Sequence, residues 1–123
     1  MWRLRPDVLR AALWALLSLR DARGQLRRGI ARPVIRNCPK LPVDAGRGVQ
    51  GVINRLDPTC LERSLVFQAW LTAHGVLRDV VIGIPPGGLS SGETAHAWVD
   101  GTDAASATRF LELHRWPPVS EGV

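Results

Sequence analysis

Cysteine is scarce in this sequence, with only Cys38 and Cys60 in 123 residues. The two are too few and too far apart for a disulfide framework or a CxxC metal site, so a reduced, cytoplasmic setting is expected. No apolar run is long enough to cross a bilayer. Val8 to Leu19 follows Arg3 and Arg5 and so imitates a secretory signal, but Arg10 interrupts it and no small-residue cleavage site comes after it. It reads as a helix capped by Asp7, with no stable membrane insertion. There is no P-loop, internal repeat or low-complexity tract, so neither a nucleotide site of that kind nor a repeat architecture is expected.

The residues present suit one small domain, because 46% hydrophobic content supports a core of ordinary size. Sixteen Lys+Arg against 11 Asp+Glu leave a net charge of +5, nearly all of it arginine. Such an excess suits an acidic partner or nucleic acid, and the charge alone picks neither. Arg20, Arg23, Arg27, Arg28, Arg32 and Arg36 cluster without the interleaved aromatics or groove-reading helix of a nucleic-acid binder, so nucleic acid is not an expected partner.

Breakers and periodicity set the expected elements. Asp7 to Arg20 reads as a first helix, and Gly24, Gly29, Pro33, Pro39 and Pro42 then mark an irregular basic connection from Asp21. Residues 1–43 are thus a helix and connection belonging to the same unit as a core at 44–123. Asp44 is positioned to cap a second helix to about Arg55, and Asp57-Pro58-Thr59 to open a third at Cys60. Leu65, Val66, Phe67, Ala69, Trp70 and Leu71 cover most of that helix's circumference, which predicts a helix enclosed by other elements and stopped at Gly75. Val76 to Ile84 and Thr94 to Asp100 read as strands separated by Pro85-Pro86-Gly87-Gly88. Helices followed by a small antiparallel sheet imply an α+β fold.

Two residues stand out chemically. A cysteine acts as a nucleophile in its thiolate form, and a helix's first turn favours that form through the dipole and free N–H groups, which can also stabilise an oxyanion. Cys60 holds that position. In Glu93 to Val99, alternation puts Thr94, His96 and Trp98 on one strand face and Ala95, Ala97 and Val99 on the other, so His96 is a rigidly held base for the sulfur. His74 is some 21 Å along the helix at 1.5 Å per residue and is excluded as that base. Gln50 and Asn54 are the amides spaced to donate a second oxyanion hydrogen bond, Trp70, Trp98 and Trp116 read as core, and Cys38, Cys60, His96 and His114 lack metal-ligand spacing.

The run Cys60-Leu61-Glu62-Arg63-Ser64-Leu65, the helix to His74-Gly75-Val76, the strand Val80-Val81-Ile82-Gly83-Ile84 and His96-Ala97-Trp98-Val99-Asp100 together resemble the lasso-peptide B2 proteins. These are transglutaminase-like leader peptidases, and the resemblance covers about Pro58 to Trp116. It implies a papain-like cysteine protease core that cleaves the leader from a ribosomally made precursor, with Cys60 as nucleophile, His96 as base and no metal or cofactor. It also implies three partners: the precursor peptide, a small leader-recognition protein and an ATP-dependent lasso cyclase.

One departure concerns the orienting acid, which the family carries on the strand after the histidine. Here that stretch reads Ala104-Ala105-Ser106-Ala107-Thr108. A two-residue turn at Gly101-Thr102 would pair Asp100 with Asp103 and set Ala107 opposite His96, leaving both aspartates about 13 Å away at ~3.3 Å per residue. Asp103, brought closer by a wider turn, is the best acid available, and Ser106 and Thr108 are the alternatives for holding the imidazole. A non-catalytic scaffold on the same fold is the rival reading. Leu9, Leu13, Leu16 and Leu17, at helical spacing, suit either a docking face or core.

Overall fold

The computed structural model describes residues 5–88 and 95–119. Its first helix, α1 (Pro6–Arg27), opens with Pro6 in the first turn, and Asp7 lies within that turn instead of capping it. The helix also runs beyond Arg20, through ground expected to be irregular. Gly24 has no neighbour within 4 Å of a Cβ position, so tertiary contacts of adjacent residues hold this turn. Ala22 is fully buried, and Arg23 binds Glu62.

A short turn, Val43–Ala45, leads into α2 (Gly46–Leu56). Asp44 caps no helix there, because its carboxylate is taken by Arg5 at 2.7 Å. Helices α1 and α2 touch through their backbones: a Cβ on Gly48 would lie 2.2 Å from the Val8 carbonyl oxygen, so only glycine permits this approach. The resulting core joins Trp14, Ala15 and Leu19 of α1 to Val49 and Ile53 of α2 and to Val66 and Trp70 of the next helix. Trp14 donates to the Arg36 carbonyl at 3.1 Å, and the ring nitrogens of His74 lie 2.7 Å from the Trp70 carbonyl oxygen and 2.9 Å from that of Leu41. These bonds fasten the connection after α1 across the helices. Leu9 and Leu13 face solvent at 50% and 56% exposure.

Helix α3 (Cys60–Ala73) begins at Cys60, as expected. Thr59 accepts from the Glu62 N–H while the Glu62 carboxylate accepts from the Thr59 N–H, a reciprocal cap that fixes the first turn. Gly75, at φ +78°, follows its end. The helix is enclosed: Val66 and Trp70 enter the helical core, and Leu65 joins Val80, Ala97 and Val99 of the sheet.

That sheet consists of β1 (Val80–Ile84), β2 (His96–Val99) and β3 (Leu111–Trp116), in the antiparallel order β2-β1-β3. Val81 faces Trp98 and Gly83 faces His96. The strand expected from Val76 starts only at Val80, and Thr94 lies outside the described residues. Asp100 and Asp103 are not paired across a two-residue turn: the Asp100 N–H donates to the Asp79 carbonyl, and the chain turns into α4 (Ala104–Arg109). Asp103 caps α4 by accepting from the Ser106 N–H, and the alanines after it favour helix. The chain then returns along the far side of β1 as β3.

Candidate active site

The cap on α3 shapes the surroundings of Cys60. The N–H groups of Glu62 and Arg63 are taken by the Thr59 hydroxyl and carbonyl, while those of Cys60 and Leu61 have no partner among the described residues. The thiol is half-buried, and its Sγ accepts from the backbone N–H of Ala97 at 3.3 Å. Cys60 therefore sits against the strand residue next to His96, with helix-start N–H groups beside it.

Hydrogen bonding determines how His96 is held. Its Nε2 is 3.0 Å from Ser106 Oγ, and that hydroxyl donates to Asp103 Oδ2 at 2.6 Å. With its one proton committed to the carboxylate, Ser106 can only accept from the imidazole. Neutral His96 therefore carries its proton on Nε2 and keeps the lone pair on Nδ1. Asp103 also accepts from the Ser106 N–H at 3.0 Å. The Ser106 hydroxyl and N–H, with His96 nearby, hold the Asp103 carboxyl below the usual carboxylate range against a small opposing effect of burial.

The imidazole also packs against two aromatic rings, Phe110 at 4.9 Å and Trp98 at 5.9 Å between centroids, which touch each other at 6.1 Å. Gly83 makes room for them, since a Cβ there would come within 2.9 Å of both Phe110 and Trp98. Trp98 is thus core, as expected, and also part of the aromatic cluster that supports the imidazole.

Cys60, His96 and Asp103 line one cavity of about 320 Å³, with Gln50, Arg63 and Phe67 among its other walls. Gln50 reaches it from α2 and donates to Asn54 at 3.3 Å, whereas Asn54 is not part of the lining. Thr108 donates to the Ala104 carbonyl within α4 and does not hold the imidazole. Asp103 reaches His96 through Ser106, so two sequence alternatives act in series. The link had a sequence signal, Asp103 three positions before Ser106, which is the spacing of a helix cap and its N3 residue. Phe110 was missed because it lies in a connection between elements, where periodicity says nothing.

A helix-first cysteine against a strand-borne histidine, with an acid behind it, can be compared with known families. A model of the transglutaminase-like superfamily matches residues 1–115. The chain belongs to that superfamily. The match extends back through α1 and α2, so this α+β superfamily domain takes in the helical half as well as the stretch from Pro58 whose motifs are legible in sequence. Neither the curated proteins nor the solved structures yield a match. No described helix is long and apolar enough to cross a membrane.

Proposed function

We propose that this transglutaminase-like protein is a cytoplasmic cysteine peptidase that removes the leader from a ribosomally made lasso-peptide precursor. The observation that carries the reading is the convergence of Cys60, the Ala97 N–H and the His96–Ser106–Asp103 chain on one cavity. His96 Nδ1 takes the thiol proton as Sγ attacks the scissile carbonyl carbon. The resulting oxyanion is met by the N–H groups at the start of α3 and by Gln50. As the intermediate collapses, the C–N bond breaks and the imidazolium gives its proton to the leaving amine. Water, deprotonated by His96, then attacks the thioester, releasing a carboxylate and restoring the thiol. Asp103, acting through Ser106, keeps the imidazole in the tautomer that this cycle requires.

The lasso-peptide assignment rests on the motif resemblance from Pro58 onward, and with it come the precursor, a small leader-recognition protein and an ATP-dependent cyclase as partners. Mass spectrometry of the precursor incubated with this chain and the recognition protein tests the proposal. Wild type is expected to release the leader, and Cys60→Ala and His96→Ala to release none. Cleavage by either variant would refute it.

One observation favours a non-catalytic binding scaffold instead, namely that no carboxylate among the described residues contacts the imidazole directly. Iodoacetamide labelling separates the two readings, with Cys38 as internal control. A Cys60 that labels faster than Cys38, and slows in His96→Ala, supports the enzyme. An inert Cys60 in the presence of the partners supports the scaffold.

A further inference from the structure

A second cavity, larger than that of Cys60, lies across α3 from the thiol. It measures about 510 Å³, against about 320 Å³ for the cysteine cavity. One wall is the irregular stretch 32–37, another is the second half of α3, and Pro118 and Val119 close a third side. Cys60, Ser64 and Phe67 follow one face of α3, while Leu65, Ala69 and Thr72 point the opposite way at 100° per residue. The two cavities therefore share a helix but not a face, and a ligand in the larger one need not touch the thiol.

The larger cavity is built for an amphiphile. Ile35, Leu65, Ala69, Leu77 and Val119 give it an apolar lining, and its volume falls in the ordinary range of small-molecule sites. Its polar side chains are mostly engaged. Gln68 donates to the Arg78 and Trp116 carbonyls, and the Thr72 hydroxyl donates to the Gln68 carbonyl. Arg32 differs. It donates to the Pro117 carbonyl and lies over the Trp116 ring at 5.5 Å, but no carboxylate pairs with it among the described residues. Burial pushes its guanidinium below its ordinary value. By contrast, Arg5, Arg23, Arg36 and Arg115 each have an acidic partner within 3.2 Å. A partly desolvated cation with no carboxylate partner among the described residues, at the edge of an apolar cavity, attracts a carboxylate attached to a hydrocarbon body.

We propose that this cavity is a binding site for a small apolar carboxylate, with the acid group on Arg32 and the hydrocarbon body against α3. The site is independent of the peptidase reading and needs neither Cys60 nor His96.

Decanoate is a suitable probe, titrated by calorimetry into the full chain below its micellar range, beside decanol and decylammonium. One decanoate is expected per chain, binding about tenfold or more tighter than either analogue, a preference worth about 1.4 kcal/mol. Arg32→Gln is expected to abolish that preference while leaving decanol binding unchanged. Ala73→Trp, which fills the cavity from the surface of α3 and keeps Arg32, is expected to remove decanoate binding and so provides a test should Arg32→Gln fail to fold. Equal affinity for decanol, several decanoates per chain, unchanged decanoate binding in Ala73→Trp, or no saturable binding would each overturn the proposal.

Discussion

The helical half of this molecule and its sheet half are built for different purposes. Ala11, Ala15, Ala45 and Val66, all fully buried, join two tryptophans in a core shared by three helices and the connection that crosses them. The sheet contributes a smaller cluster around Leu65, Val80, Ala97 and Val99, and β3 is solvent-exposed along most of its length, with Leu111 and Leu113 more than half accessible. Yet His96, Ser106 and Asp103 all belong to the sheet half, with Ser106 on its short helix α4, and of these four residues only Cys60 comes from one of the three long helices. Stability and proposed chemistry are thus largely separated, and α3 is the element common to both. If that division is real, substitutions in one half should move stability with little effect on the site, and substitutions in the other should do the reverse.

The largest expected effect on stability lies in the helical half. Trp14 is buried, packs 6.1 Å from Trp70 between centroids and donates to the Arg36 carbonyl. Trp14→Ala should destabilise the fold by about 3–5 kcal/mol, through the cavity it opens and the carbonyl it leaves unpaired. Urea denaturation would measure this, with leader cleavage per folded molecule expected within about twofold of wild type, or ~0.4 kcal/mol. A large loss of cleavage at full folding would break the division.

The division also explains what was legible in sequence. Thr59, Cys60 and Glu62 are consecutive or nearly so, and a helix start is a local event, so the position of Cys60 at the start of α3 could be read directly. His96 was equally accessible, because strand alternation needs no partner to be recognised. The acid's position depended on what followed Gly101. Ala104 to Thr108 could be taken as a strand only by assuming a hairpin, whereas Asp103 with its alanines starts a helix, and the partner of β1 arrives later as Leu111-Glu112-Leu113-His114-Arg115-Trp116. That alternation was visible, but its pairing on the far edge of β1 is a non-local choice. The extension of α1 past Arg20 was hidden for the same reason, since Arg23 is held by a residue of α3.

Ser106→Ala sharpens the comparison from the sheet side. Removing the hydroxyl breaks the link between Asp103 and His96 while leaving the backbone N–H to cap α4, so the fold should lose no more than about 1 kcal/mol. Cleavage should fall about 10–100-fold, mainly in kcat, because the imidazole loses its preferred tautomer and not its contact with substrate. NMR of the Asp103 carboxyl reports whether the hydroxyl bond to Ser106 exists in solution, and kcat reports whether His96 depends on it. In wild type it should titrate below the usual carboxylate range, and in Ser106→Ala it should titrate higher. An unchanged kcat together with an unchanged titration would remove Ser106 from the site.

Glu62 gives the smallest and most discriminating test, because it belongs to both halves. It is 3% exposed, caps the helix that begins with Cys60, and receives Arg23 of α1 at 3.1 Å. Burial pushes its carboxyl up, but the Arg23 guanidinium and the Thr59 N–H outweigh that and hold it below its ordinary value. A depressed native value means that the ionised side chain stabilises the fold above the unfolded-state value of about 4.3 and that this contribution is lost as the pH falls through the native one. Glu62→Gln keeps the shape and an acceptor for Thr59 but removes the charge. It should destabilise by about 1 kcal/mol at pH 7, a modest figure because Arg23 is half-exposed and its field is screened. The difference from wild type should shrink as the pH is lowered below 4, where wild type itself is becoming neutral at this position. A pH-independent difference would assign the effect to packing. A loss of Cys60 labelling rate at pH 7 in the folded variant would show that the capping box positions the thiol as well as the helix, and so would tie the two halves together at a single carboxylate.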